Sequence, residues 1–222
     1  MLQVQSRYQA PNFSSTGIET VDEIIFAQPE DILKQGCQVK AGTPHIRVGD
    51  ALGRITASGL YRRVTNLKIK TQVEINGTEI IITDVNGVAI ESPFLPGEIL
   101  RVGTTGGDGE DVTVSGATNA TGKIIVPALS KQHLVDAPVT LKTADGSEKI
   151  VGFAGHPLQS ALYRQDKPEV GYLLDTDYDV EIFLAGCFVK SKLKGILSVA
   201  QAAIDLGSFI DLSPAFDAVI VR

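Results

Sequence analysis

Tryptophan is missing from this 222-residue chain, methionine occurs once, and aromatic residues make up only 6% of it. Ring-stacking recognition of a sugar or a base therefore has few candidate side chains, Phe94 and Phe153 being the aromatics in or beside the middle of the chain. Cysteine is almost as scarce. Cys37 and Cys187 are far apart and outside any C-x-x-C pattern, which leaves a disulfide framework or a structural zinc site without sequence support. Two buried thiols in a reducing cytosol are the expectation. No apolar run approaches the roughly 18 residues of a membrane span, and the N-terminal MLQVQSRYQAPNF has no cationic start followed by an apolar stretch. Neither a membrane partner nor a secretory route is expected. Basic clusters are also missing: 20 Lys and Arg stand against 26 Asp and Glu, for a net charge of −6, and a phosphate backbone needs the opposite balance. Nucleic acid is excluded as a main partner.

What is present is ordinary globular material, 43% hydrophobic and 21% charged, enough for one or two domains with a core. The fold class expected is mainly β. A small body with one or two short helices would carry an inserted all-β sandwich or barrel and an extended N-terminal arm. The arm, residues 1–28, is polar, and its apolar residues Leu2, Val4, Tyr8, Val21, Ile24, Ile25 and Phe26 are too sparse to fold alone. Pro29 and Gly36 bracket PEDILKQ, whose Glu30 and Asp31 suit the first turn of a short helix. The run AGTPHIRVGDALGRITASGLYRRV, residues 41–64, reads as two strands meeting at an Ala57-Ser58-Gly59 corner.

From residue 65 to 152 the composition shifts to alternating runs such as VEINGTEIIITDV, GEILRVG, DVTVSG, GKIIVPAL and PVTLKT. Asn76-Gly77, Asn86-Gly87 and Asp145-Gly146 supply turn signals among them. This is the inserted β domain; residues 29–64 and 153–222 form the body. The second part of the body reads as two strands, VGYLLDT and VEIFLAGCFV, joined by an acidic turn. A helix follows in ILSVAQAAIDLG with Ile196, Val199, Ala200, Ala203, Ile204 and Leu206 on its apolar stripe and Gly207 as its stop. The last strand is AVIVR.

Catalytic and metal-binding motifs are incomplete or missing. GGDGEDVTV at 106–114 nearly matches one calcium-binding nonapeptide, but those ions lie between successive repeats and only one copy is present. Asp175, Asp177 and Asp179 open like an EF-hand loop, yet Val180 replaces the required glycine and Gly186 stands where the bidentate Glu belongs. His45, His133 and His156 have no i, i+4 or H-x-H partner and read as lone turn or surface histidines. G-x-S-x-G, Walker A and G-x-G-x-x-G patterns are all missing. The expectation is no enzyme, no cofactor and no metal.

Two blocks carry a resemblance. AGTPHIRVGDALGRITASGLYRRV resembles the signature of tailed-phage head decoration proteins of the lambda type, with its A-G-T and its later L-G-x-I-T-A-S-G-x-Y. GYLLDTDYDVEIFLAGCFVKSKL is similar to that family's second block, and the helix followed by FDAVIVR to its closing elements. The blocks lie in the family's order and cover somewhat under half of the chain. Family members run almost directly from one block to the other, whereas about a hundred residues intervene here, from Thr65 to about Glu169. The resemblance implies a β-clip-like body that trimerises and caps three-fold and quasi-three-fold positions of a mature phage shell. Its partners would be the major capsid protein and itself, and its place the outer surface of the virion, assembled in the host cytoplasm. On that reading the arm residues named above bind the capsid, and Tyr172, Leu174, Ile182, Leu184 and Phe188 form the trimer interface. Two alternatives from other classes stand beside it: a virion-surface module holding carbohydrate or a host molecule through the insert, and an enzyme of unrecognised type.

Overall fold

The computed structural model describes residues 24–27, 32–83, 92–104, 107–118, 122–162, 164, 166, 173–212 and 216–222. Leu2, Val4, Tyr8, Val21 and Tyr172 lie outside the described residues, as do Pro29 to Asp31 and Asn86-Gly87.

Among the described residues the chain forms fifteen strands and one α-helix, and it is mainly β. β1 (Ile25–Ala27), β2 (Leu33–Val39), β3 (Ala51–Arg54) and β4 (Tyr61–Arg63) come first. β5 (Leu67–Ile69), β6 (Glu79–Thr83), β7 (Ile99–Val102), β8 (Glu110–Thr113), β9 (Gly116–Thr118), β10 (Lys123–Ile125) and β11 (Pro138–Leu141) fill the middle. β12 (Gly152–Ala154), β13 (Tyr178–Val189), α1 (Val199–Leu206), β14 (Phe209–Asp211) and β15 (Ala218–Val221) complete it.

The two flanks build one sheet of eight strands. In it β12, β3, β4, β2 and β13 pair in that order and β12 pairs back to β13, closing a five-stranded barrel. Val39, Ile46, Leu52, Tyr61, Ala154, Leu174, Val180 and Ile182 form one buried cluster of this unit. Closure removes edges that would otherwise offer unpaired backbone groups to a neighbour. The predicted corner is there: β3 and β4 pair antiparallel, the Ile55 amide donates to the Leu60 carbonyl, and Gly59 turns the chain at φ 76°.

β13 is twelve residues long and does two jobs. Its first part runs along β2 and β12; its second part, Gly186 to Val189, pairs with β15, while Cys187 and Phe188 pair with β1. A second core forms here, where Phe188 stacks on Phe183 at 6.0 Å between ring centres and tilts against Phe153 at 5.8 Å. α1 caps it. The Ser198 hydroxyl accepts from the Gln201 amide at the helix start, and Gly207 ends it in the left-handed region at φ 78°. The stripe that packs on this core is buried Ala202 with half-buried Val199, Ala203 and Leu206, spaced i, i+3, i+4, i+7. Ala200 is exposed and Ile204 is 74% exposed, so those two leave the expected stripe.

The expected helix over residues 29–35 does not form in its described part. Residues 33–39 are β2, paired with β13 from Tyr178↔Val39 to Ala185↔Leu33. The turn-like brackets of Pro29 and Gly36 lose to tertiary pairing, because the long central strand needs a neighbour and Val39 reaches the barrel core from β2. VGYLLDT is likewise no strand in its described part: Leu173 makes only an isolated bridge to Pro44.

Strands β5 to β11 all fall between residues 65 and 152 and form a second, seven-stranded curled sheet in the order β8-β7-β11-β5-β6-β10-β9. The chain passes from one edge of this sheet to the other through Val114 and Ser115, whose amides donate to Glu98 and Ile125. Its core includes Leu67, Ile69, Ile80, Ile82, Phe94, Leu100, Val102 and Val139, and Leu197 of the body packs against it. Asp145-Gly146 is not a hairpin turn. It lies in the returning segment that docks on the β3–β4 corner, where the Thr56 amide donates to the Asp145 carbonyl.

Candidate functional site

Two consecutive arginines sit in the run GLYRRV, and a strand sends consecutive side chains to opposite faces. At least one must therefore point inward, and both are buried: Arg62 is 1% exposed and Arg63 7%. Arg62 reaches out of β4 into the curled sheet. Its Nη1 donates to Glu98 Oε1 at 2.7 Å, its Nη2 to Glu98 Oε2 at 2.9 Å and to the Pro93 carbonyl, and Asp145 Oδ2 lies 3.6 Å from Nη1. Glu98 also accepts from the Leu95 amide. A planar guanidinium matches a carboxylate two-on-two, so the fork fixes orientation as well as charge. Beside it, Thr65 and Ser147 share a buried hydroxyl contact at 3.0 Å, and a Cβ on Gly53 would collide with the Ser147 backbone. The seam between barrel and insert is thus polar, buried and closely fitted.

Arg63 turns the other way. It pairs with Asp50 at 2.8 Å and donates to the His45 carbonyl, while Asp50 accepts from the Arg47 amide. A cleft lined by Asp50, Ala51, Arg63, Val64, Pro93, Lys194 and Gly195 has room for no more than a water molecule. These groups hold backbone; they are not arranged around space for a substrate.

The glycine-rich loop at 103–110 is braced by its own carboxylates. Asp108 accepts from the Thr104 amide and hydroxyl, and the Thr104 bonds hold its carboxyl below the usual range. Glu110 accepts from the Ser130 amide and hydroxyl, the Lys131 amide and His133 Nε2. Burial works against its ionisation, but the Ser130, His133 and Lys131 hydrogen bonds outweigh it and pull the carboxyl below its ordinary value. His133 is fully buried, which corrects the expectation of a surface histidine. No local pattern announces this pair, since Glu110 and His133 are 23 residues apart and meet only when the sheet curls.

The acidic turn is also occupied by protein donors. Asp175 accepts from the Tyr178 and Ser160 hydroxyls, and Asp177 accepts from the Ala41 amide. Among the described residues, no group of three or more His, Cys, Asp or Glu side chains could hold a metal ion. No described helix is long and apolar enough to cross a membrane. Cys37 and Cys187 are both free and half-buried, less enclosed than expected; burial first, and then Asp179, pushes the Cys37 thiol up to about 12.

The residues proposed for interfaces divide. Of the described arm residues, Ile24 is 1% exposed and belongs to the second core, Ile25 packs against that core in β1, and Phe26 is 45% exposed. Ile24 is therefore a core residue, not a capsid contact. Leu174, Ile182 and Phe188 are at most 2% exposed within this one chain, and Leu184 packs against the barrel core. Side chains already enclosed by their own chain have no surface left for a second one, so Leu174, Ile182 and Phe188 are corrected to internal packing, while Leu184 is half-buried. Exposed aliphatics occur elsewhere, notably Ile75, Leu134 and Val135 at turns of the insert and Leu33 and Ile210 at strands of the body. Comparison with known protein families, curated proteins and solved structures finds no match to this chain.

Proposed function

We propose that this chain is a capsid decoration protein: a non-catalytic homotrimer that binds the outer surface of a mature phage shell at three-fold and quasi-three-fold positions. The observation that carries the reading is spatial. Residues 41–64 and the described part of 170–222 are separated by the whole insert, yet both contribute to one closed barrel and the sheet that continues from it. Two blocks that resemble one family in order also behave as one physical unit. The polar clusters support the same reading, because Arg62, Asp50, Glu110 and Asp175 each spend hydrogen bonds or ion pairs on backbone groups or on neighbouring side chains of this chain. Groups committed in this way position loops and leave little for a reaction.

Adhesion on this reading falls to the N-terminal segment, where Leu2, Val4 and Tyr8 recur at strand-like intervals and can add to an exposed sheet edge of the coat. Three arms on one trimer make later contacts intramolecular and raise avidity without new chemistry. The test is co-sedimentation of the purified chain with expanded heads that lack decoration, using the full chain and a deletion of residues 1–23. That deletion stops short of Ile24 because β1 belongs to the folded body. Binding by the full chain and severe loss on deletion are expected. Failure of the full chain to bind heads overturns the proposal, and undiminished binding after deletion moves adhesion to the β body.

A further inference from the structure

A calcium-binding nonapeptide needs a second copy to complete its site, and GGDGEDVTV at 106–114 stands alone. Acceptors of this stretch are nevertheless filled, by cations of the chain itself. Lys131 Nζ donates to the Gly109 carbonyl at 2.9 Å and to the Gly107 carbonyl at 3.1 Å, so one ammonium sits where two carbonyls of the loop converge. Asp111, at the aspartate position of the nonapeptide, accepts from Arg101 Nη1 at 3.0 Å and lies 3.0 Å from Lys142 Nζ. The loop is shaped for a close turn at this point. Gly109 is buried, and a Cβ there would collide with the Thr104 carbonyl and the Arg101 guanidinium, so glycine alone lets the chain close.

We infer that this loop is a cation site whose occupant is the Lys131 ammonium, and that the site takes a primary ammonium in preference to a metal ion. Ligand supply decides the class. Calcium asks for about six to eight oxygens, whereas the loop turns two carbonyls toward Nζ. The neighbouring carboxylates are committed elsewhere: Asp108 to the Thr104 amide and hydroxyl, Asp111 to Arg101 and Lys142, and Glu110 to Ser130, His133 and the Lys131 amide. An ammonium is a point charge with three donors. Two of them meet the carbonyls, and Lys131 is half-buried, which leaves the third for water. The ion is also tethered. The Lys131 and Ser130 amides donate to Glu110 at 3.0 and 2.9 Å, so the backbone that carries the ammonium is pinned to the loop that receives it. A dissolved ion would have to exceed the effective concentration of this built-in one to displace it. Residues 107–110 therefore stay joined to residues 130–133 without any ion drawn from solution, and the inference is independent of the decoration reading.

Amide hydrogen exchange of the full chain tests it, with the Thr104 amide, which donates to Asp108 inside the loop, as reporter and the Ala51 amide of the barrel as control. Lys131→Ala should speed exchange at Thr104 at least about tenfold, because both carbonyls lose a charged donor, and should leave Ala51 unchanged. Propylammonium chloride supplies the missing carbons and the ammonium, and should restore protection in Lys131→Ala. Lys131→Met removes the charge but still fills the space, so it should lose protection and stay unrescued. Tetramethylammonium chloride at the same ionic strength, which has no N–H, and calcium chloride should restore nothing. Circular dichroism checks the fold of both variants. The unaltered chain gives a second reading that needs no variant: limited acylation should label Lys131 at least about tenfold more slowly than exposed Lys70. Folded Lys131 variants that exchange like the parent overturn the inference, as does failure of propylammonium to rescue Lys131→Ala. Equal rescue by tetramethylammonium or calcium, or labelling of Lys131 as fast as Lys70, overturns it as well.

Discussion

Replacing Glu98 by alanine strips the buried Arg62 guanidinium of its two-point partner. Arg62 is 1% exposed, so water cannot enter to replace the carboxylate, and orphaning one member of a buried pair costs about 3–5 kcal/mol. Two features reduce that figure. The Glu98 side chain is 24% exposed, and Asp145 at 3.6 Å and the Pro93 carbonyl still face the cation after the substitution. A loss of about 2–4 kcal/mol is expected, which at a urea slope of about 3 kcal/mol/M lowers the midpoint by roughly 1 M. Urea titration followed by both far-ultraviolet circular dichroism and tyrosine fluorescence measures it. Arg62→Met with Glu98→Gln should recover much of the loss, because it removes the buried charge instead of stranding it. A Glu98→Ala variant within about 0.5 kcal/mol of the parent refutes the idea that this fork ties the insert to the barrel.

Phe188→Ala removes a fully buried ring stacked on Phe183 and should cost about 3–5 kcal/mol in urea unfolding; its effect should be loss of fold, not clean dissociation of folded copies. The Glu110 carboxyl is held below its ordinary value, so its contribution is present above the unfolded-state pKa and is lost as pH falls through the lower folded one. Melting temperature should therefore drop on acidification below the ordinary carboxylate range, and Glu110→Gln should flatten that slope. With its thiol pushed up to about 12, Cys37 should remain protonated and react slowly with a disulfide reagent at mildly alkaline pH, whereas fast labelling of a Cys187→Ser variant would contradict the burial seen here.

The β class, the Gly59 corner, the insert's strands and the α1 stop at Gly207 were all legible, because each depends on a short-range signal: alternation, a turn residue or a cap. The failures share a cause. Residues 29–35 carry helix-like brackets, but the pairing partner of β2 is β13, well over a hundred residues away, and no local pattern contains it. Leu174, Ile182 and Phe188 look like interface residues in sequence, since an apolar strand reads the same whether its cover comes from its own chain or another. Glu110 and His133 were missed for the same reason of distance. Arg62 was recoverable: adjacent arginines inside an apolar strand force one of them into the core.

The buried seam changes what the insert can do. A satellite on a loose tether would leave any surface on it free to swing, and binding through that surface would cost the ordering of the tether. Here Arg62 bridges the Pro93–Glu98 segment, Thr65 meets Ser147, and Gly53 lets the returning chain approach β3 at backbone distance. The insert also has no free end, because it leaves the barrel after β4 and returns at β12. Its far turns, where Ile75, Leu134 and Val135 are exposed, are braced by the Val73↔His133 bridge and by Glu74, which accepts from both Gln72 and Gln132. A contact made by those turns would therefore be transmitted to the barrel without hinge loss. That stiffness is what the decoration role proposed above requires, since a clamp holds only as well as its softest joint.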